Sequence, residues 1–135
     1  MIRTFLDASV LIAAIRGAPI PVERALGVLN DPERVFIASD FVRLEVLPKP
    51  LYFHQQSEVA FYEAYFAMVM AMVEVSPALV RQAYEEARRA GLAGMDALHI
   101  AAAKTSGAEE FITTERPTTA LFRVTGIRVT TLRPH

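Results

Sequence analysis

The chain has 135 residues, a formal net charge of −1 and no cysteine. Its length fits one domain, 1–135, with a core that needs no disulfide or metal staple. The missing cysteines exclude thiol catalysis, disulfides and thiolate metal sites, so any metal must be held by oxygen or by one of three histidines. The near-neutral charge gives no overall basic field to draw in nucleic acid, leaving that task to local arginines and to metal.

The opening, MIRTFLDASVLIAAIRG, starts with a strand-like run, Ile2 to Leu6, and passes at Asp7 into helix formers, Ala8 to Ile15. Asp7 also breaks the apolar run, and no small-residue cleavage site follows, so the expected location is cytoplasmic rather than secreted. After Gly17, Pro19 and Pro21, the spacing of Val22, Ala25, Leu26 and Leu29 predicts a helix closed by Asp31-Pro32, and Arg34 to Ala38 predicts a second buried strand. Ser39 is an expected N-cap for a short helix carrying Phe41, Leu44, Glu45 and Leu47, stopped by Pro48 and Pro50.

Ser57 to Val73 is expected to be one long helix, with Glu74 to Ser76 extended after it and a further helix from Pro77 to about Ala90. The apolar part, Val59 to Val73, contains Glu63 and falls short of the roughly 20 apolar residues a membrane-spanning helix needs. Gly91 and Gly94 bracket the next break, and Asp96 is expected to open a helix over Ala97 to Lys104 that ends at Ser106-Gly107. Glu110 to Thr113 reads as a third buried strand with Glu115 just beyond it, Thr118 to Val124 as a short helix, and Ile127 to Leu132 as an edge strand. This alternation predicts right-handed crossovers and a mainly parallel sheet covered on both faces, with ligands at the carboxyl ends of the strands.

Four acids are candidates for chemistry at that edge, each with a plainer alternative. Asp7 is costly to bury inside its apolar run unless hydrogen-bonded, paired or metal-bound, and no basic neighbour offers a pair; the alternative is a helix cap by Asp7 or Ser9. Glu45 reads equally as a solvent-facing charge beside Arg43 or Lys49, and Asp96 as a cap favoured by the helix dipole. Glu115 reads as a loop charge near Arg116, with Thr113 and Thr114 placed to orient it. His99 shares Asp96's side of the helix and is expected to be structural or to orient a carboxylate; no role is expected of His54 or His135. Converging carboxylates repel one another, and a hard divalent cation resolves that conflict, which points to phosphoryl chemistry.

FLDASVLI, SDFVRLEVL, MDALHIAAA and FITTERP, in that order, resemble the PIN-domain nucleases, a family that includes the VapC-type toxins of prokaryotic toxin–antitoxin pairs. The resemblance implies a three-layer α/β/α fold and an Mg²⁺- or Mn²⁺-dependent site that hydrolyses RNA. Its four acidic positions fall on Asp7, Glu45, Asp96 and Glu115, with Ser9 and Thr113 as supporting hydroxyls. Where the family often has aspartate, Glu115 is longer by one methylene and is closely followed by Pro117, so ligation through water is an alternative there. The resemblance further implies a homodimer and a small antitoxin partner. The helix with Phe61, Tyr62, Tyr65 and Phe66 offers itself either as that docking surface or as ordinary core. Arg16, Arg43 and Arg116 lie near the motifs and could touch phosphates or form surface ion pairs. Two rivals stand beside the nuclease. A phosphatase with Asp7 as nucleophile would want an acid where Ser9 stands. A non-catalytic RNA-binding or protein-interaction module could use the same fold.

Overall fold

The computed structural model of the protein describes residues 1–134; His135 lies outside the described residues. Five strands form one sheet in the order β3-β2-β1-β4-β5, with every neighbouring pair parallel. They are β1 (Ile2–Leu6), β2 (Arg34–Ser39), β3 (Ala71–Val73), β4 (Glu110–Thr113) and β5 (Arg128–Thr131). Parallel strands need crossovers, and helices supply most of them. They are α1 (Ala8–Arg16), α2 (Val22–Leu29), α3 (Asp40–Val46), α4 (Pro48–Tyr52), α5 (Gln56–Met68), α6 (Pro77–Ala90) and α7 (Gly94–Thr105).

The chain moves outward from β1 through β2 to β3, then crosses back to place β4 on the other side of β1. Right-handed crossovers therefore put α1, α2 and α5 on one face and α6 and α7 on the other, giving the expected α/β/α layering. Because both faces are covered, the central strands are apolar almost throughout. Phe5 and Leu6 of β1 and Phe111 and Ile112 of β4 are buried, the two phenylalanine rings stacking at 5.7 Å, and Val10, Leu11, Ile37 and Ile100 continue the same core. The direction of winding reverses between β1 and β4, so the sheet's topological switch point lies where those two strands end.

Local chemistry sets most of the element boundaries. Gly17 and Gly91 adopt left-handed φ values of 75° and 70° and close α1 and α6. Ser39 and Ser76 accept the amides of Val42 and Leu79 as N-caps, and Pro77 occupies the first turn of α6.

Four expectations need correction. The helix expected over Ser57–Val73 ends at Met68, and Ala71–Val73 is the edge strand β3 rather than its last turn. Its three apolar residues carry no period that would separate strand from helix. Pro48 does not end helical structure; it begins α4, since a first-turn proline gives up no needed amide. The helix α7 begins at Gly94, so Asp96 lies within its first turn while Ala93 holds the cap position. The helix expected over Thr118–Val124 is a single 3₁₀ turn, Ala120–Arg123.

The amino-terminal edge of the sheet is held by an ion cluster. Arg34, which opens β2, donates to Glu110, which opens β4, at 2.7 Å, to Thr4 at 2.9 Å and to Asp31 at 3.1 Å. Glu110 also accepts from Thr130 at 2.5 Å and lies 3.4 Å from Arg128. Although burial pushes the Glu110 carboxyl up, the hydrogen bonds from Thr130 and Arg34 and the charges of Arg34 and Arg128 hold it below its ordinary value.

Candidate active site

The opposite, carboxyl edge carries acids with little basic compensation. Asp7 stands between β1 and α1 at the N-cap position, yet its side chain makes no capping hydrogen bond. It is 7% exposed, and Oδ2 accepts from the Thr113 hydroxyl at 2.8 Å and the Ser9 hydroxyl at 3.2 Å. Among the described residues Oδ1 takes no protein hydrogen bond, and no lysine or arginine forms an ion pair with Asp7. The two hydroxyls are themselves fixed: Ser9 Oγ accepts the Thr114 amide at 3.2 Å, and Thr113 Oγ1 accepts the Glu115 amide at 3.1 Å. Asp7 is thus tethered through one oxygen and open at the other.

Glu45 reaches the same place from α3, and its carboxylate is in contact with Nε2 of His99 on α7. A ligand atom from each of Asp7, Glu45 and His99 lies within 4.8 Å of the other two. Arg43, the neighbour expected to compete for Glu45, instead meets Glu63 at 3.5 Å and lies over the Phe66 ring. His99 is 1% exposed, and its Nδ1 is buried without a hydrogen-bond partner among the described residues. The sequence placed this histidine next to an acid but gave no reason to count it among the ligands; its spacing of three from Asp96 on a buried helix was the available signal.

Asp96 is half-buried in the first turn of α7, where free amides and the helix dipole favour a carboxylate. Its carboxyl is nonetheless pushed above the usual range, first by burial and then by the charge of Asp7, with smaller contributions from Glu115 and Glu45; His99 acts in the opposite direction. Asp96 therefore senses all three of the other acids. Glu115 lies past the end of β4, exposed, held by its amide to Thr113 and by its carbonyl, which accepts from Thr131 at 2.5 Å. It forms no ion pair with Arg116 among the described residues. The structure places Asp7 and Glu45 in one cluster with His99, sets Asp96 in electrostatic contact with it and leaves Glu115 at its rim.

Such a donor set suits a hard divalent cation. Its donors are carboxylate oxygens, one of them backed by the His99 imidazole, it holds no thiolate, and its buried carboxylate has an oxygen to spare. The expected docking helix is mostly core: Tyr62, Tyr65 and Phe66 of α5 are buried. Phe61 and Met68 line a shallow apolar groove of about 280 Å³ against Leu26 and Leu29 of α2. Among the described residues no helix is long and apolar enough to cross a membrane.

A family model described as PIN domain matches residues 4–116. By sequence, no curated protein matches the chain. Among solved structures, VapBC2 from Rickettsia felis, bound to a DNA fragment from their promoter, superposes with a TM-score of 0.72 at 13% identity, covering 96% of this chain and 98% of that one. A toxin-antitoxin complex from Klebsiella pneumoniae gives 0.73 at 18%, with the same coverage of 96% and 98%. The sarcin-ricin loop cleaving toxin VapC20 of Mycobacterium tuberculosis gives 0.62 at 20%, covering 80% and 86%. At such identities these likenesses speak for the fold, and the family match for ancestry.

Proposed function

The chain belongs to the PIN-domain family, and on that premise we propose that it is a divalent-metal-dependent endoribonuclease that hydrolyses RNA phosphodiester bonds, acting as the toxin of a toxin–antitoxin pair. The observation that carries this reading is the convergence of Asp7, Glu45 and His99 within 4.8 Å at the sheet's switch point, with Asp96 held against the same charge.

In this mechanism Asp7, Glu45, Asp96 and Glu115 would hold the ion, Glu115 directly or through water. When bound, Mg²⁺ or Mn²⁺ supplies activation of water and compensation of charge on the phosphate and leaving oxygen. Ser9 and Thr113 keep one Asp7 oxygen occupied and would leave the other for the ion, the kind of outer support that fixes a ligand's direction. His99 positions Glu45. Two residues after Asp7, where the phosphatase alternative requires an acid, stands Ser9, which donates to Asp7 instead.

The antitoxin and homodimer remain parts of the proposal. The antitoxin is supported by toxin–antitoxin complexes sharing the fold, and the apolar groove between α2 and α5 offers a surface for either partner. The test is cleavage of a panel of structured and single-stranded RNAs by wild type and Asp7→Asn, with Mn²⁺, with Mg²⁺ and with chelator. Metal-dependent cutting lost in the variant is expected. Cutting that persists in chelator overturns the metal dependence, and a protein that neither cuts nor binds metal is an interaction module.

A further inference from the structure

The remaining question for a chain of net charge −1 is how a polyanion is held beside an acidic centre. Most arginines are committed elsewhere. Arg16 is bonded to Glu58, Arg43 to Glu63, Arg34 to Asp31 and Glu110, and Arg88 to Glu85. Arg116 and Arg133, like Arg24, Arg81 and Arg123, have no carboxylate at salt-bridge distance among the described residues.

Arg116 and Arg133 line one groove of about 440 Å³, together with Pro19, Pro21, Pro117, Thr118 and Pro134, and among the described residues no acidic side chain contributes to its wall. Proline rings fix the backbone of that wall, so the opening is formed in advance of any ligand. Arg133 is anchored on its inner side, where Nε donates to the Thr114 carbonyl at 2.8 Å and its amide donates to Thr131 Oγ1 at 3.1 Å. The terminal guanidinium nitrogens make no side-chain hydrogen bond among the described residues. Arg24 adds a third positive charge nearby, donating to the carbonyl of Leu132 at 3.3 Å.

The groove is joined to the acids by a short relay. Arg133 holds Thr114, whose amide donates to Ser9 Oγ, and Ser9 donates to Asp7. Arg116 directly follows Glu115. The groove thus adjoins the acidic cluster through Thr114 and through Glu115.

We propose that Arg116 and Arg133 form a phosphate subsite that grips the backbone of the RNA strand adjacent to the bond being cut, an inference that rests on the nuclease reading. Planar guanidinium forks match phosphate oxygens, and such contacts set the register of a strand without reading its sequence. The subsite offsets locally the repulsion between RNA and four carboxylates.

The test is fluorescence anisotropy with a labelled single-stranded RNA oligonucleotide across a salt series, in chelator so that the strand stays intact. Each lost phosphate contact should lower the slope of log affinity against log salt by roughly 0.7, so Arg116→Ala should lower it by about 0.7 and the double alanine variant by about 1.4. Arg116 is exposed and makes no side-chain hydrogen bond among the described residues, so its single variant reads the subsite without disturbing the fold. Replacing both by lysine should keep the slope. Unchanged slopes in the alanine variants, or no salt-dependent binding by wild type, would overturn the subsite. So would an equal weakening of poly-glutamate binding, which would make the groove a general anion site. Wild-type RNA cleavage with unchanged slopes removes the subsite and leaves the nuclease standing; the reverse pattern removes the nuclease and leaves the subsite.

Discussion

Replacing Asp7 by Asn removes one negative charge and almost nothing else. The asparagine carbonyl can still accept from Ser9 and Thr113, so the tether at Oδ2 survives. The gain comes from the neighbouring acids. Two unit charges 4.8 Å apart, the outer limit of the Asp7–Glu45 separation, repel by about 3 kcal/mol at an effective dielectric constant of 20. Glu45 is 35% exposed and meets His99, so screening reduces the relief to about 1 kcal/mol. In chelator the variant should therefore melt at or slightly above the wild-type temperature. Metal reverses the order. At a concentration 100 times its dissociation constant, an ion that binds only the folded protein adds about 2.7 kcal/mol. For a chain of this size that raises the melting point by about 10 °C, and the rise should largely vanish in Asp7→Asn. Scanning calorimetry with chelator and with graded Mn²⁺ reads both effects. A variant that melts several degrees lower in chelator yet keeps the metal-dependent rise would show that Asp7 is a structural hydrogen-bond acceptor and would refute its role as ligand.

His99→Gln should weaken Mn²⁺ binding about 10- to 100-fold by releasing Glu45, measured by calorimetric titration; unchanged affinity would confine His99 to the core. Asp96 gives a pH dependence whose sign follows from its raised carboxyl value. The folded state keeps the proton longer than the unfolded one, so metal-free stability should fall as pH rises from the ordinary 3.8 through the raised value. Asp96→Asn should flatten that decline in melting curves taken in chelator, and an equally steep decline in the variant would refute the assignment. Glu110→Gln leaves Arg34 with Asp31 as its one carboxylate partner among the described residues and should cost about 2–3 kcal/mol at neutral pH by denaturant unfolding. Because the folded carboxyl is held below 4.5, this contribution is present above that value and should disappear as pH falls through the lowered one, whereas a pH-independent difference would locate the effect in packing.

What was legible in the sequence depended on contrast. Asp7 stands out because it interrupts an apolar run, and α6 because Ser76, Pro77 and Gly91 punctuate both ends. The strands β1, β2 and β4 are buried on both faces and show it in composition. The strand β3 has three residues within an unbroken apolar stretch, and only its pairing with β2 reveals it. The four acids could be named but not assembled, since Glu45 and Glu115 look like ordinary surface charges until Arg43 and Arg116 are found not to pair with them. Arg133 escaped notice altogether: its importance lies in the Thr114 carbonyl that anchors it, a backbone contact with no signature in residue type.

The hydrogen bond from Thr113 to Asp7 spans 106 residues. Strand β1 is made early and its acid lies ready, but the hydroxyl that orients that acid arrives only with β4, which cannot pair with β1 until it has cleared the ribosome. A nascent chain stopped short of β4 therefore lacks the Thr113 hydroxyl that tethers Asp7, the proposed metal ligand. For a protein whose proposed substrate is RNA, the order of synthesis postpones assembly of the cutting edge until translation has passed the strand that completes it.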